Sequence, residues 1–222
     1  MPHRKGVVVL GATGSIGQST CRVLRRHADR FRVTGISASR RAKELDLLAS
    51  EFEPDFAILS GCEADGHAPV WNGTWLYGAE ALAEAACDER TDVVVNALVG
   101  AAGLRATLSA LEAGKRLALA NKESLVAGGA LVIDAWRNGG GEILPVDSEH
   151  SAVHQCLAGR PGSEVRRLIL TASGGPFRDL PASEFESIRC AHRTAPGPPI
   201  EKTYSIVHPR AFRRYSALLW KP

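Results

Sequence analysis

Short apolar runs alternate with longer Ala/Leu-rich segments along most of the chain. VVVL (7–10), FRVTGIS (31–37), FAIL (56–59), VVVNAL (93–98), RLALA (116–120), EILPV (142–146) and RRLILT (166–171) are apolar with few interruptions. Runs of this length suit strands buried on both faces, as in a parallel sheet. Between them GLRATLSALEAG (103–114) and ESLVAGGALVIDAWRN (123–138) have helical length. Strands and helices in alternation predict βαβ units and a doubly wound α/β fold. Residues 61–78, with Gly, Pro and two Trp, interrupt the rhythm and read as a loop holding one short strand, TWLY (74–77).

The pattern ends near residue 188. From 189 to 222 no period is sustained, and Pro196, Pro198, Pro199, Pro209 and Pro222 punctuate the segment. This segment also carries the basic charge: seven Lys or Arg stand against one acid, Glu201, while the rest of the chain holds 20 basic and 23 acidic groups. Nucleic-acid binding would therefore rest on this tail alone. A hydrophobic content of 45% and a charged content of 23% are those of a soluble globular protein. No apolar run is long enough for a membrane helix, and MPHRKG leads straight into a strand without room for a signal peptide. The five cysteines, Cys21, Cys62, Cys87, Cys156 and Cys190, are scattered and odd in number, which fits reduced thiols and a cytoplasmic protein.

Candidate chemistry clusters where predicted strands stop. VVVLGATGSIGQST places Gly11, Gly14 and Gly17 at the first strand-to-helix turn, with a helix expected from about Ile16. Small residues there allow a pyrophosphate to approach the backbone, and the helix N-terminus offers free N–H groups. The spacing is G-x-x-G-x-x-G, so a glycine turn without a ligand stays open. After the second strand come Ser39, Arg40 and Arg41, with no acid before Glu44. An NAD site would place Asp or Glu there, whereas two arginines and a serine favour the 2′-phosphate of NADP. A solvated basic helix start is the alternative.

Asn121, Lys122 and Glu123 follow RLALA, where open α/β sheets bind ligands, although Asn121 is also a good helix cap. Asp147, Ser148 and Glu149 follow EILPV. If the chain stays extended, the two carboxylates face one way and suit Mg²⁺ or Mn²⁺. Two other readings compete: a zinc site through His150 and His154, without a third nitrogen or sulfur ligand nearby, and a simple helix cap. Ser173 stands in SGGPFR, a loop that could hold phosphate or sugar oxygens.

In order and spacing, GATGSIG, NALVGAAGL, ALANKES, LPVDSEH and SGGPFR resemble the 1-deoxy-D-xylulose 5-phosphate reductoisomerase family over residues 5–180. The resemblance implies a Rossmann-like domain over 1–141, followed by the start of an α+β catalytic and metal-binding domain over 142–188. It implies an NADPH- and Mg²⁺- or Mn²⁺-dependent oxidoreductase and isomerase of non-mevalonate isoprenoid biosynthesis. That enzyme converts 1-deoxy-D-xylulose 5-phosphate to 2-C-methyl-D-erythritol 4-phosphate and forms homodimers.

Carried over by position, Thr13, Gly14, Ser15, Ile16, Asn121 and Glu123 would contact NADPH, with Ser39, Arg40 and Arg41 at its adenosine ribose-phosphate. Lys122, Ser148, Glu149 and Ser173 would contact the sugar phosphate. Asp147 and Glu149 would hold the metal, and Lys122, Asp147 and Glu149 form the catalytic set.

The family's lid loop, third metal-binding Glu and C-terminal helical domain are not recognisable after SGGPFR, where His192 is the one relic of the loop histidine. The expectation is a chain truncated or frame-shifted after about residue 188, with a disordered Pro/Arg-rich tail over 189–222. Dinucleotide binding is expected to survive and turnover is not, which leaves an inactive nucleotide-binding fragment and tail-borne nucleic-acid binding as alternatives. Independent reads of the gene beyond codon 188 should find the shifted frame, and an unshifted frame overturns that expectation.

Overall fold

The run VVVL lies inside β1 (Lys5–Leu10), which is buried from Gly6 onward. Val8, Val9 and Leu10 are fully buried, and each contributes about 1.5–3 kcal/mol of transfer free energy. β1 pairs in parallel with β2 (Phe31–Ala38) on one side and β5 (Val93–Asn96) on the other. Beyond β2 come β3 (Phe56–Leu59) and β4 (Thr74–Tyr77), and beyond β5 come β6 (Arg116–Leu119) and β7 (Glu142–Pro145). All six pairings are parallel, in the order β4-β3-β2-β1-β5-β6-β7. The computed structural model describes residues 4–61 and 69–159, with the single positions 161, 164, 181 and 183.

The helices are α1 (Ser15–Arg26), α2 (Ala42–Phe52), α3 (Glu80–Cys87), α4 (Gly103–Glu112), α5 (Lys122–Gly139) and α6 (Ser148–Leu157). α1 and α2 lie over β1–β3, where Val7, Val9, Val33 and Ile36 meet Cys21, Leu24, Leu45 and Leu48. α3, α4 and α5 pack on one another, and α3 and α4 also contact β1, β5 and β6. This is the Rossmann-like, doubly wound sheet that the alternation predicts. Its order reverses between β1 and β5, where crossovers depart to opposite sides and a crevice opens at the carboxyl ends.

Strand bounds match the apolar runs closely, with one instructive difference. The run 93–98 predicts a strand to Leu98, yet β5 stops at Asn96. The Asn96 side chain accepts the Leu98 N–H at 3.3 Å, and this i-to-i+2 bond turns the chain out of the ladder. A second difference follows β7. The extended backbone expected over 147–149 is absent, because α6 begins at Ser148.

Residues through Ser151 form one compact unit, and those from Ala152 belong to a second. The predicted strand 166–171, Ser173, His192 and the tail lie outside the described residues. Cys21, Cys87 and Cys156 are free thiols. Among the described residues no helix is long and apolar enough to cross a membrane.

Candidate functional site

The glycine motif forms a turn at the crevice. Gly11 has φ +85°, a conformation that glycine adopts without strain, and its carbonyl accepts the Gly14 N–H at 3.0 Å. A Cβ on Gly11 would lie 2.8 Å from the Ala97 carbonyl oxygen, and one on Gly17 would lie 2.2 Å from the Gly11 carbonyl oxygen. The turn, α1 and the chain leaving β5 therefore touch backbone to backbone. Ser37, buried on β2, fixes the turn from beneath. Its hydroxyl accepts the Gly11 N–H at 2.9 Å and its carbonyl accepts the Ala12 N–H at 2.7 Å.

α1 starts at Ser15 behind Gly14, without a capping side chain and with no acid in its first turn. Its first N–H groups and positive dipole end thus face a place where Thr13 and Ile16 are half-buried and Gly14 and Ser15 exposed. These donors fit the pyrophosphate of a dinucleotide. At the end of β2, Ser39, Arg40 and Arg41 are all exposed. Arg41 Nη1 donates to the Thr13 carbonyl at 2.9 Å, which joins this loop to the glycine turn and places two guanidinium groups beside it.

Asn121 is almost completely buried at the end of β6. Its Nδ2 donates to the carbonyls of Leu98 at 2.6 Å and Gly100 at 2.9 Å, while its Oδ1 accepts from the Ser124 N–H at 2.8 Å and from the Ser124 hydroxyl. The side chain thus caps α5 and tethers the loop after β5, so all of its hydrogen-bonding capacity is engaged within the protein. Lys122 and Glu123 open α5 and are half-buried.

Asp147 caps α6. Its Oδ1 accepts the His150 N–H at 3.1 Å and lies 2.6 Å from His150 Nδ1. Burial raises the Asp147 carboxyl, but the hydrogen bonds from the His150 ring and backbone, with the charges of His150 and Lys122 behind them, hold it below the ordinary Asp value. An ionised carboxylate only accepts, so Nδ1 carries the proton.

Lys122 and Asp147, from the ends of different strands, are therefore electrostatic neighbours. Asp147 Oδ2 has no hydrogen bond among the described residues, so an ionised oxygen donor stands ready for a hard cation. Ser148 is exposed in the first turn of α6. Glu149 lies in the same turn, but its side chain is outside the described residues. Among the described residues no group of three His, Cys, Asp or Glu could hold a metal, and His150, engaged by Asp147, is better placed to orient that carboxylate than to ligate zinc.

The structure thus brings the glycine turn, the Ser39–Arg41 loop, Lys122 and Asp147 to one sheet edge. Sequence reasoning does not reach Ser37, Asn96 or Ser124. Each is a small polar residue in or beside an apolar element, and its partner is known only once the strands are paired.

The family model described as 1-deoxy-D-xylulose 5-phosphate reductoisomerase matches residues 7–129, and the model of that enzyme's C-terminal domain matches residues 143–197. The chain belongs to this family. The second match runs past residue 188, where the apolar pattern fades. Among curated relatives, the reductoisomerase of Ralstonia pickettii is 46% identical over 199 residues, covering 84% of this chain and 50% of the relative. That of Mycobacterium avium is 50% identical over 186 residues, covering 83% and 44%. The chain spans about half the length of the curated relatives it matches. Among solved structures, the reductoisomerase of Zymomonas mobilis in complex with NADPH gives a TM-score of 0.69 at 42% identity, covering 84% of this chain and 50% of that one. A DOX-P reductoisomerase in complex with magnesium gives 0.71 at 39% identity, covering 86% and 51%.

Replacing Asn121 with Ala removes a helix cap and strands two loop carbonyls. Urea unfolding should show a loss of about 2 kcal/mol or more, and a loss below about 0.5 kcal/mol would contradict the tether. For Asp147, a folded pKa below the unfolded one stabilises above the unfolded value, near pH 4, and that contribution is lost as pH falls through the folded value. In metal-free buffer the stability gap between the chain and its Asp147→Asn variant should therefore be full at neutral pH and shrink below about pH 4. A pH-independent gap would refute this.

Proposed function

We propose that this chain binds NADPH across the β1–β5 crevice and, with Mg²⁺ or Mn²⁺, serves the conversion of 1-deoxy-D-xylulose 5-phosphate to 2-C-methyl-D-erythritol 4-phosphate in non-mevalonate isoprenoid biosynthesis. The observation that carries this reading is the uncapped N-terminus of α1 at the point where the strand order reverses, with Lys122 and Asp147 on the same sheet edge. In this reading residues 1–141 hold the dinucleotide and 142–188 contribute metal and substrate contacts, within a homodimer.

Thr13, Gly14, Ser15 and Ile16 present backbone N–H groups to the pyrophosphate, while Ser39, Arg40 and Arg41 take the 2′-phosphate. Glu123 flanks the dinucleotide. Asn121, its side chain engaged internally, acts by shaping the loop after β5 and through its own backbone. Lys122 supplies positive charge to the sugar phosphate, with Ser148 and Ser173 as hydroxyl contacts. Asp147 and Glu149 hold the metal, and His150 orients Asp147 by hydrogen bonding.

When bound, the metal supplies Lewis acidity toward adjacent substrate oxygens. NADPH supplies the hydride, and the protein's share is binding, orientation and electrostatics.

Titration of the purified chain by NADPH fluorescence tests the reading, followed by NADPH oxidation on adding the sugar phosphate and Mg²⁺. NADPH should bind more tightly than NADH. Arg40→Ala should weaken NADPH about tenfold or more, as expected for a lost charge-assisted bond, and leave NADH unchanged. Equal affinity for the two dinucleotides would sink the 2′-phosphate assignment, and no binding of either would sink the dinucleotide reading.

A further inference from the structure

The loop between β5 and α4 forms the second wall of the crevice, and nothing above gives its side chains a role. It is held unusually firmly for an exposed loop. Asn96, fully buried, donates from Nδ2 to the Gly103 carbonyl and the Thr107 hydroxyl, both at 2.9 Å, and accepts the Leu98 N–H. Asn121 holds the carbonyls of Leu98 and Gly100 from the other side. The start of the loop lies against the glycine turn, since the Ala97 N–H donates to the Leu10 carbonyl at 2.9 Å.

On this fixed frame Val99 is 88% exposed, more than any other large hydrophobic residue among the described residues. Its exposed companions Ala101 and Ala102 are also apolar. Two buried carboxamides thus hold an apolar face out at the carboxyl edge.

The sheet order says which part of a dinucleotide would meet it. β2, with Arg40 and Arg41 at its end, lies on one side of β1, and β5 lies on the other. With the pyrophosphate at the α1 N-terminus and the adenosine half toward the arginines, the remaining half extends over the β5 loop. We infer that Val99 contacts the nicotinamide half of the bound dinucleotide, on a wall preorganised by Asn96 and Asn121. This rests on the dinucleotide reading proposed above. A preformed apolar wall loses little conformational entropy on binding, and it suits the flat face of a nicotinamide ring better than it suits a phosphate.

Because Val99 makes no buried contact, Val99→Ser should fold with an unchanged melting temperature. Its Kd for NADPH should rise about tenfold, the order expected for losing one buried aliphatic side chain. Its Kd for 2′,5′-ADP, which lacks the nicotinamide half, should stay the same, and Val99→Ile should retain NADPH affinity. An unchanged NADPH Kd in Val99→Ser, or an equal rise for 2′,5′-ADP, overturns the assignment while leaving the dinucleotide reading intact. Failure of the unaltered chain to bind NADPH removes both.

Discussion

The parallel pairing of β1 with β2 on one side and β5 on the other is the constraint from which the crevice follows. A strand buried on both faces must be covered by helices on both, and right-handed crossovers then leave it in opposite directions. The crests of those crossovers meet at one edge and leave a gap over β1. Into that gap points a helix N-terminus with no side chain to satisfy it. The glycines are consequences of the same closeness, because Gly11 and Gly17 stand where backbones approach too nearly for a Cβ.

Around this edge the polar residues divide into two kinds. Ser37, Asn96, Asn121 and Ser124 are buried and hydrogen-bonded, and they hold loops in shape. Ser39, Arg40, Arg41, Lys122 and Ser148 are exposed or half-buried, with donors turned toward solvent. The first kind rigidifies and the second recognises. Buried, fully satisfied carboxamides suit the first task because a low-dielectric surrounding makes an unmade bond expensive and so selects one loop conformation. Asp147 stands between the two: one oxygen caps a helix and holds His150, and the other has no protein partner among the described residues.

Much of the fold was legible because parallel strands write themselves as apolar runs bounded by turns. FAIL and TWLY were found to the residue, and the helix over 123–138 appears as Lys122–Gly139. The places where local reading failed share a cause. β5 ends early because of a side chain that reaches two residues ahead, and Asp147 leaves the extended conformation because its carboxylate finds the N–H of His150. Short polar side chains compete with the ladder for backbone groups, and apolar periodicity carries no trace of that competition.

By itself the sequence determined the alternation of elements, the buried parallel sheet and the glycine turn, and its motifs identified the family. These are properties of period, of residue size and of order along the chain. Tertiary structure alone decided that Asn121 faces inward to four bonds, that Arg41 ties one loop to another through Thr13, and that Lys122 lies close enough to Asp147 to lower its carboxyl. Each of these depends on residues from different strands meeting at one edge. That meeting is set by the order in which strands pair, which no local stretch of sequence contains.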